Sequence, residues 1–90
     1  MEEYDNVFLI RRTIARQFNR HYVDFGCIQF YKGDLLSMAD GLEDELIKWL
    51  NELEKRGVIR YLGDFKEIGV KDYAIEVLSE VPPGALAWGR

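Results

Sequence analysis

Three arginines that recur at every fourth position are the side chains best suited to bind a charged partner. Arg12, Arg16 and Arg20 fall on one face of a helix, with Arg11 beside them and no acidic residue interspersed. Like charges at this spacing weaken an isolated helix by about 0.2–0.5 kcal/mol per pair, so we expect an anion to compensate them. Two sources are open: the phosphates or acidic surface of a partner, which suit the guanidinium fork, and acidic residues of this chain, such as those at positions 40–45.

A second candidate set lies on the outward face of a helix predicted over residues 42–56. Lys48, Asn51 and Lys55 point away from its apolar stripe, and these side-chain types bind base edges or phosphate. The acidic residues at the start of this helix, which repel phosphate, are Asp40, Glu43, Asp44 and Glu45. The alternative is a solvent-exposed face of mixed charge, in which Asp44 and Lys48 form an ordinary ion pair one turn apart.

Groups for catalysis or metal binding are scarce. His21 is the only histidine and Cys27 the only cysteine, so the sequence predicts neither an internal disulfide nor a zinc site. Ser37 and Ser79 are the only serines, and the sequence contains no glycine-rich phosphate loop. We therefore expect a protein that is not an enzyme and that uses no metal or cofactor.

The composition predicts one small domain. Of the 90 residues, 48% are hydrophobic and 31% are charged, which suffices for a single core but not for two. The net charge of −4 argues against sequence-blind binding of nucleic acid over the whole surface, but it permits a local basic face. No apolar run is long enough to cross a bilayer, and the first five residues are acidic where a signal peptide is basic. The sequence thus predicts a cytoplasmic protein with no membrane partner.

The first third of the chain predicts a long helix followed by a short strand. Apolar residues at spacings of three and four indicate a helix over residues 5–22 with one buried stripe. The members of this stripe are Val7, Ile10, Ile14, Phe18 and Tyr22. Residues 25–31 are short, aromatic and bounded by glycines, a pattern typical of a strand.

Polar residues and glycines predict the limits of the next two helices. Asp34 is expected to cap a short helix that extends to residue 39. Asp40 and Gly41 predict a turn, and Asp40 with Glu43 resembles a capping box for the helix over residues 42–56. Two cations and then a glycine at position 57 indicate where that helix ends.

The last third of the chain predicts a β-hairpin. Residues 58–62 are rich in β-branched and aromatic side chains, and residues 73–78 alternate between large apolar and other side chains. The polar segment 63–71 between them predicts a loop. A terminal helix over residues 73–80 is the alternative that would change the fold.

The order of helix, strand, helix, helix and hairpin resembles a winged-helix domain. The resemblance rests on the end of the long helix at residues 53–59, the strand at 60–62 and the loop at 63–71, which would be the wing. It covers residues 5–80 and implies an α+β fold in which the helix over 42–56 reads DNA. We therefore predict a winged-helix-like domain over residues 1–81 and an apolar tail over residues 82–90.

The predicted wing and tail add further candidate contacts. Lys66 and Lys71 in the wing are candidates for phosphate or minor-groove contacts, although the alternative that they are simply solvent-exposed charges is favoured. The apolar residues of these segments are candidates for a partner surface or for burial against the protein's own core. They are Phe65 and Ile68 in the wing and Leu86 and Trp88 in the tail.

These observations predict a small DNA-binding or transcription-associated regulatory protein. Its partner is expected to be double-stranded DNA, and it is expected to act as a dimer. The alternative is a protein-interaction module of the same fold, such as a complex subunit or an inhibitor, whose partner is another protein. The acidic net charge favours this alternative.

Overall fold

The computed structural model describes residues 6–26 and 28–89 as a small α+β domain. It contains three helices and a three-stranded antiparallel sheet, a layout compatible with the winged-helix-like arrangement predicted from the sequence. The elements in chain order are α1 (Asn6–Phe25), β1 (Ile28–Tyr31), α2 (Lys32–Ala39), α3 (Glu43–Lys55), β2 (Ile59–Tyr61), β3 (Tyr73–Val77) and a 3₁₀ helix (Pro83–Ala87). None of the described helices is long and apolar enough to span a membrane.

Helix α1 forms around the predicted apolar stripe. Ile14 and Phe18 in the middle of the stripe are fully buried, and the flanking Ile10 and Tyr22 pack partly against the core. The helix continues three residues beyond its predicted end and stops at Gly26, whose φ of 81° is left-handed and whose N–H donates to the carbonyl of Tyr22. The predicted start at residue 5 lies outside the described residues.

Helix α2 begins directly after β1, without the predicted cap. Asp34 lies within its first turn, so the prediction that Asp34 caps this helix is wrong. The helix start is held by tertiary contacts instead, because the Nζ of Lys32 donates to the carbonyl of Ile68 at 3.0 Å and lies 5.3 Å from the ring centre of Phe65. These contacts couple α2 to the loop between β2 and β3.

The turn between α2 and α3 is confirmed, but its predicted capping box is wrong. Asp40 and Gly41 both adopt left-handed backbone conformations, with φ of 52° and 86°. Asp40 terminates α2 through its own N–H, and Leu42, which provides no side-chain cap, occupies the position before α3. The acidic first turn of α3 therefore interacts favourably with the helix dipole rather than through a capping box.

The end of α3 is confirmed as predicted. Gly57 has a φ of 80°, and its N–H donates to the carbonyl of Glu54. The N–H of Val58 donates to the carbonyl of Leu53, and the two bonds together form a Schellman motif. This ending directs the chain from α3 into β2.

The sheet has the strand order β1-β3-β2, with both pairs antiparallel. The strand predicted at residues 73–78 is confirmed as β3, so the alternative of a terminal helix is excluded. Ile75 and Val77 are fully buried, and Arg60 forms an ion pair with Glu76 across the β2–β3 pair. The loop over residues 62–72, called the wing below, connects these two strands.

The predicted tail packs onto the same core as the rest of the chain. Ala85 in the tail and Val81 just before it are buried, and the indole N–H of Trp49 in α3 donates to the Ala85 carbonyl at 2.9 Å. The side-chain amide of Asn19 in α1 exchanges two hydrogen bonds with the backbone of Val81. The tail therefore covers the protein's own core between α1 and α3, which was one of its two predicted roles.

Candidate nucleic-acid interface

The predicted arginine ladder lies on the outer face of α1. Arg12, Arg16 and Arg20 are all exposed, opposite the stripe that α1 buries. Within residues 6–26 and 28–89, none of the three forms an ion pair. The alternative of internal pairing with the acids at positions 40–45 is therefore not what the described residues show. We call this surface the arginine face.

Arg11 is not part of the arginine face, although it adjoins the ladder in sequence. Only 2% of this residue is exposed, and its guanidinium points into the protein. Its Nη1 donates to the carbonyls of Leu86 and Trp88 at 3.0 and 2.6 Å, and its Cζ lies 5.5 Å from the ring centre of Trp49. Arg11 therefore fixes the tail to α1 and α3 and is not accessible to a partner.

The buried position of Arg11 changes its electrostatics. Burial lowers the pKa of the Arg11 guanidinium, because desolvation disfavours the charged form. The carboxylates of Glu45 and Glu52 on α3 act in the opposite direction. These two acidic residues thus face a cation inside the protein, which sets them apart from the exposed acids at the start of α3.

The outward face of α3 carries the residues predicted for it. Lys48, Asn51 and Lys55 are exposed, and no ion pair between Lys48 and Asp44 forms among the described residues. The Oδ1 of Asn51 accepts a hydrogen bond from the hydroxyl of Tyr61 at 2.6 Å. The amide of Asn51 is therefore oriented by β2, and its N–H groups are the donors that a ligand would use.

Tyr61 has an altered pKa as a result of its position between α3 and the sheet. Burial raises the pKa of Tyr61 to about 12, with a smaller contribution from the negative charge of Glu54. The hydroxyl is therefore protonated at neutral pH and remains a donor to Asn51. This interaction positions Asn51 without the need for a ligand.

The start of α3 is acidic on its exposed side. Glu43 and Asp44 are exposed, whereas Glu45 is partly buried beside Arg11. The N-terminal end of a recognition helix is the part that enters the major groove in helix-turn-helix proteins. Phosphates approaching this end meet negative charge, so α3 is poorly suited to lead an encounter with DNA.

The wing exposes its lysines but buries its apolar residues. Lys66 and Lys71 are exposed. Phe65 is only 5% exposed and belongs to the core, so of its two predicted roles the structure shows burial and not a surface contact. Ile68 is partly buried against the same core, and its carbonyl accepts the hydrogen bond from Lys32. The apolar wing residues thus anchor the wing and leave the lysines as its exposed cations.

The tail residues predicted for partner binding are used within the chain. Leu86 and Trp88 are partly buried against the core. The ring of Trp88 lies beneath the guanidinium of Arg56, with 4.3 Å between Cζ and the ring centre. Arg11 holds the backbone carbonyls of both residues, so of their two predicted roles the structure shows packing against the protein's own core.

The structure also exposes two aromatic residues that the sequence pattern did not single out. Tyr31 and Tyr73 stack on each other, with ring centres 4.3 Å apart and planes inclined by 9°. The alternation in residues 73–78 places Tyr73 on the same face as the buried Ile75. A register shift between Phe30 and Tyr31 breaks this alternation and turns Tyr73 outwards. No signal in the sequence shows where such an irregularity falls.

The candidate residues therefore form three exposed groups: the arginine face, the outer face of α3 and the wing lysines. Among residues 6–26 and 28–89, no group of three or more His, Cys, Asp or Glu side chains is placed to hold a metal ion. No protein-family model, curated protein or solved structure matches this chain.

Proposed function

We propose that this chain is a small, cytoplasmic, non-enzymatic protein of winged-helix type that binds double-stranded DNA in a regulatory or transcription-associated role. The observation that carries the proposal is the arginine face. Arg12, Arg16 and Arg20 are exposed and form no ion pair with any described residue. Three guanidinium groups on one helix face, without an ion pair among residues 6–26 and 28–89, create a local positive potential on a chain whose net charge is negative.

The spacing of the arginine face suits a phosphate backbone. Residues four positions apart on a helix are separated by about 6 Å along its axis, so the ladder spans about 12 Å. Duplex DNA carries one charge per roughly 1.7 Å of its axis, which puts a phosphate within reach of each long arginine side chain. Bidentate guanidinium–phosphate pairs position the protein on DNA and carry no sequence information themselves.

The other two exposed groups supply secondary contacts in this proposal. Lys66 and Lys71 extend from the wing, and Lys48 and Lys55 extend from α3. Asn51, oriented by Tyr61, is the side chain most suited to a base edge. The acidic first turn of α3 repels phosphate, so the arginine face makes the first contacts.

The proposal is tested by fluorescence anisotropy of a labelled random duplex titrated with protein at low salt. We expect saturable binding by the wild-type chain, and a loss of at least tenfold in affinity for the Arg12→Gln/Arg16→Gln/Arg20→Gln variant. An Arg56→Gln/Arg60→Gln variant is the matched control, because both arginines are exposed and already ion-paired. Equal losses in the two variants would contradict a specific role for the arginine face.

Reversing the charge at the acidic start of α3 provides an independent test of the proposal. If phosphates approach the protein, Glu43→Lys/Asp44→Lys removes a repulsion and adds attraction, so affinity for DNA rises. Both residues are exposed, and the substitution leaves Glu45 beside Arg11 unchanged. An unchanged affinity would show that DNA does not approach this side of the molecule and would contradict the contacts proposed for α3.

A second candidate function is a protein-interaction module, which the exposed acidic residues of α3 favour. Glu43 and Asp44 are not ion-paired among the described residues, and they present an anionic surface to a basic partner. The same titration separates the two functions. Absence of any DNA binding at low salt would reject the first proposal and leave the protein-interaction module.

A further inference from the structure

An exposed apolar patch lies where the wing meets the start of α2. Tyr31, Val70 and Tyr73 are 40%, 56% and 45% exposed, and the two tyrosine rings stack on each other. We call these three residues the tyrosine patch. Large apolar side chains that are grouped on a surface, rather than scattered over it, indicate an interaction site.

Backbone contacts hold the tyrosine patch in place. The N–H of Gly33 donates to the carbonyl of Val70, and the N–H of Lys32 donates to the carbonyl of Asp72, both at 2.9 Å. A Cβ atom at position 33 would lie only 3.0 Å from the Val70 carbonyl oxygen, so a glycine permits this close approach. Because a hydrogen bond fixes the Val70 backbone to α2, the exposed Val70 side chain is part of an ordered surface. A partner that docks on it therefore pays little conformational entropy for ordering it.

The rim of the patch carries one charge of each sign. A groove of about 300 Å³ is lined by Tyr31, Asp34, Val70 and Lys71. Asp34 and Lys71 are both exposed, and neither forms an ion pair with another described residue. The groove therefore combines an apolar centre with an unpaired anion and an unpaired cation.

We propose that a second copy of this chain docks on the tyrosine patch across a twofold axis. In such an interface the same surface is used twice, so Asp34 of one copy meets Lys71 of the other, and the reverse pair forms by symmetry. The patch thus supplies its own charge complement. DNA fits it poorly because Asp34 opposes phosphate, and tyrosine is enriched where proteins associate. The proposal involves no residue of the arginine face and does not depend on DNA binding. It assigns Lys71 to the second copy, which leaves Lys66 as the exposed wing cation for phosphate.

Sedimentation velocity of the full chain, without DNA, tests this proposal. The patch is small, so we expect a weak dimer whose average mass rises from that of one chain towards twice that value between about 10 µM and about 1 mM. Asp34→Lys and Lys71→Asp each place like charges opposite one another, and each variant alone is expected to stay monomeric. Mixed in equal amounts, the two variants are expected to associate again, because both cross-axis pairs then join opposite charges.

Substitutions of exposed valines provide the matched control. Val70→Lys places a charge in the apolar centre and is expected to abolish the dimer. Val23→Lys introduces the same charge at a site on α1 that is 64% exposed, and it leaves the dimer unchanged. Circular dichroism confirms that each variant is folded. The proposal is overturned if the wild-type chain stays monomeric at about 1 mM or if the Val70→Lys variant still dimerises. It is also overturned if the mixture of Asp34→Lys and Lys71→Asp does not associate.

Discussion

Replacing Trp49 with phenylalanine measures how firmly the tail belongs to the core. The Trp49 side chain is fully buried, and its indole N–H donates to the carbonyl of Ala85 in the 3₁₀ helix. Phenylalanine keeps an aromatic ring at this position but removes the donor. The buried Ala85 carbonyl then lacks the indole donor, and an unsatisfied buried acceptor destabilises the folded state by its desolvation penalty.

The expected loss of stability has two parts. The unsatisfied carbonyl costs about 1–3 kcal/mol. The smaller ring leaves a volume of about 40 Å³, which costs about 1 kcal/mol at roughly 24 cal/mol per Å³. We therefore expect Trp49→Phe to lower the free energy of unfolding by about 2–4 kcal/mol, a large share of the roughly 5–14 kcal/mol available to a domain of this size.

Urea denaturation measures this loss, and the chain contains its own control. Trp88→Phe makes the same chemical change in the tail, where the ring is partly exposed and its indole N–H makes no hydrogen bond to the described residues. We expect it to cost less than about 1 kcal/mol, mostly from the weaker stacking with Arg56. Each variant retains one tryptophan as its fluorescence probe. Equal losses in the two variants would refute the role assigned to the Trp49 hydrogen bond.

A chain that ends after Val81 separates the two parts of the Trp49 effect. This chain lacks the Ala85 carbonyl, so Trp49→Phe costs only the term for ring size, about 1 kcal/mol. Circular dichroism establishes whether the shortened chain folds. A shortened chain that is unfolded shows directly that the tail completes the core. A shortened chain that folds and loses as much as the full chain would contradict the hydrogen-bond explanation.

Three further predictions concern the caps, contacts and titration of the fold. Asn19→Ala removes both hydrogen bonds to the backbone of Val81 and should lower the free energy of unfolding by about 2 kcal/mol in urea titrations. The pKa of Tyr61 is raised to about 12 in the folded chain, so between pH 10 and 12 only the unfolded chain loses this proton and the melting temperature falls. If the melting temperature of the Tyr61→Phe variant falls as much over this pH range, this explanation is wrong. Gly57→Ala forces a left-handed alanine and should cost about 1–2 kcal/mol, whereas Gly84→Ala, with no atom near its Cβ, should leave the melting temperature unchanged or slightly raised.

The parts of the fold that were predicted from sequence depend on local signals. The end of α3 follows from two cations and a glycine, and the structure confirms it as a Schellman motif at Gly57. The stripe of α1 follows from its periodicity, and the strand at β3 follows from alternation and its preceding loop. In each case neighbouring residues alone carry the information.

The errors arose where distant parts of the chain decide the outcome. Arg11 resembles its neighbours in sequence, yet it is buried because the tail supplies carbonyl acceptors 75 and 77 residues away. Asp34 and Asp40 have the residue type of a helix cap, but tertiary contacts at Lys32 and the left-handed turn decide where α2 and α3 begin. For Phe65 the residue pattern predicts either exposure or burial, and only the packing of the wing decides that it is buried. Local pattern contains none of this information.

In the candidate site, too, local sequence pattern predicts some features, and contacts between distant residues decide the others. The outward direction of Arg12, Arg16 and Arg20 follows from helix periodicity alone, because three residues one turn apart share a face. The link between Asn51 and Tyr61 joins two elements and required the structure. The exposure of Tyr31 and Tyr73 depends on an irregularity in strand pairing that leaves no signature in the residue pattern.

The salt dependence of DNA binding tests the central claim most directly. The logarithm of the binding constant for a random duplex, plotted against the logarithm of salt concentration, has a slope of about −0.9 per phosphate neutralised. If Arg12, Arg16 and Arg20 each contact a phosphate, the slope for the wild-type chain is steeper by about 2.7 than the slope for the triple glutamine variant. Identical slopes for the two proteins, or no binding by the wild-type chain at low salt, would contradict the assignment of the arginine face to DNA.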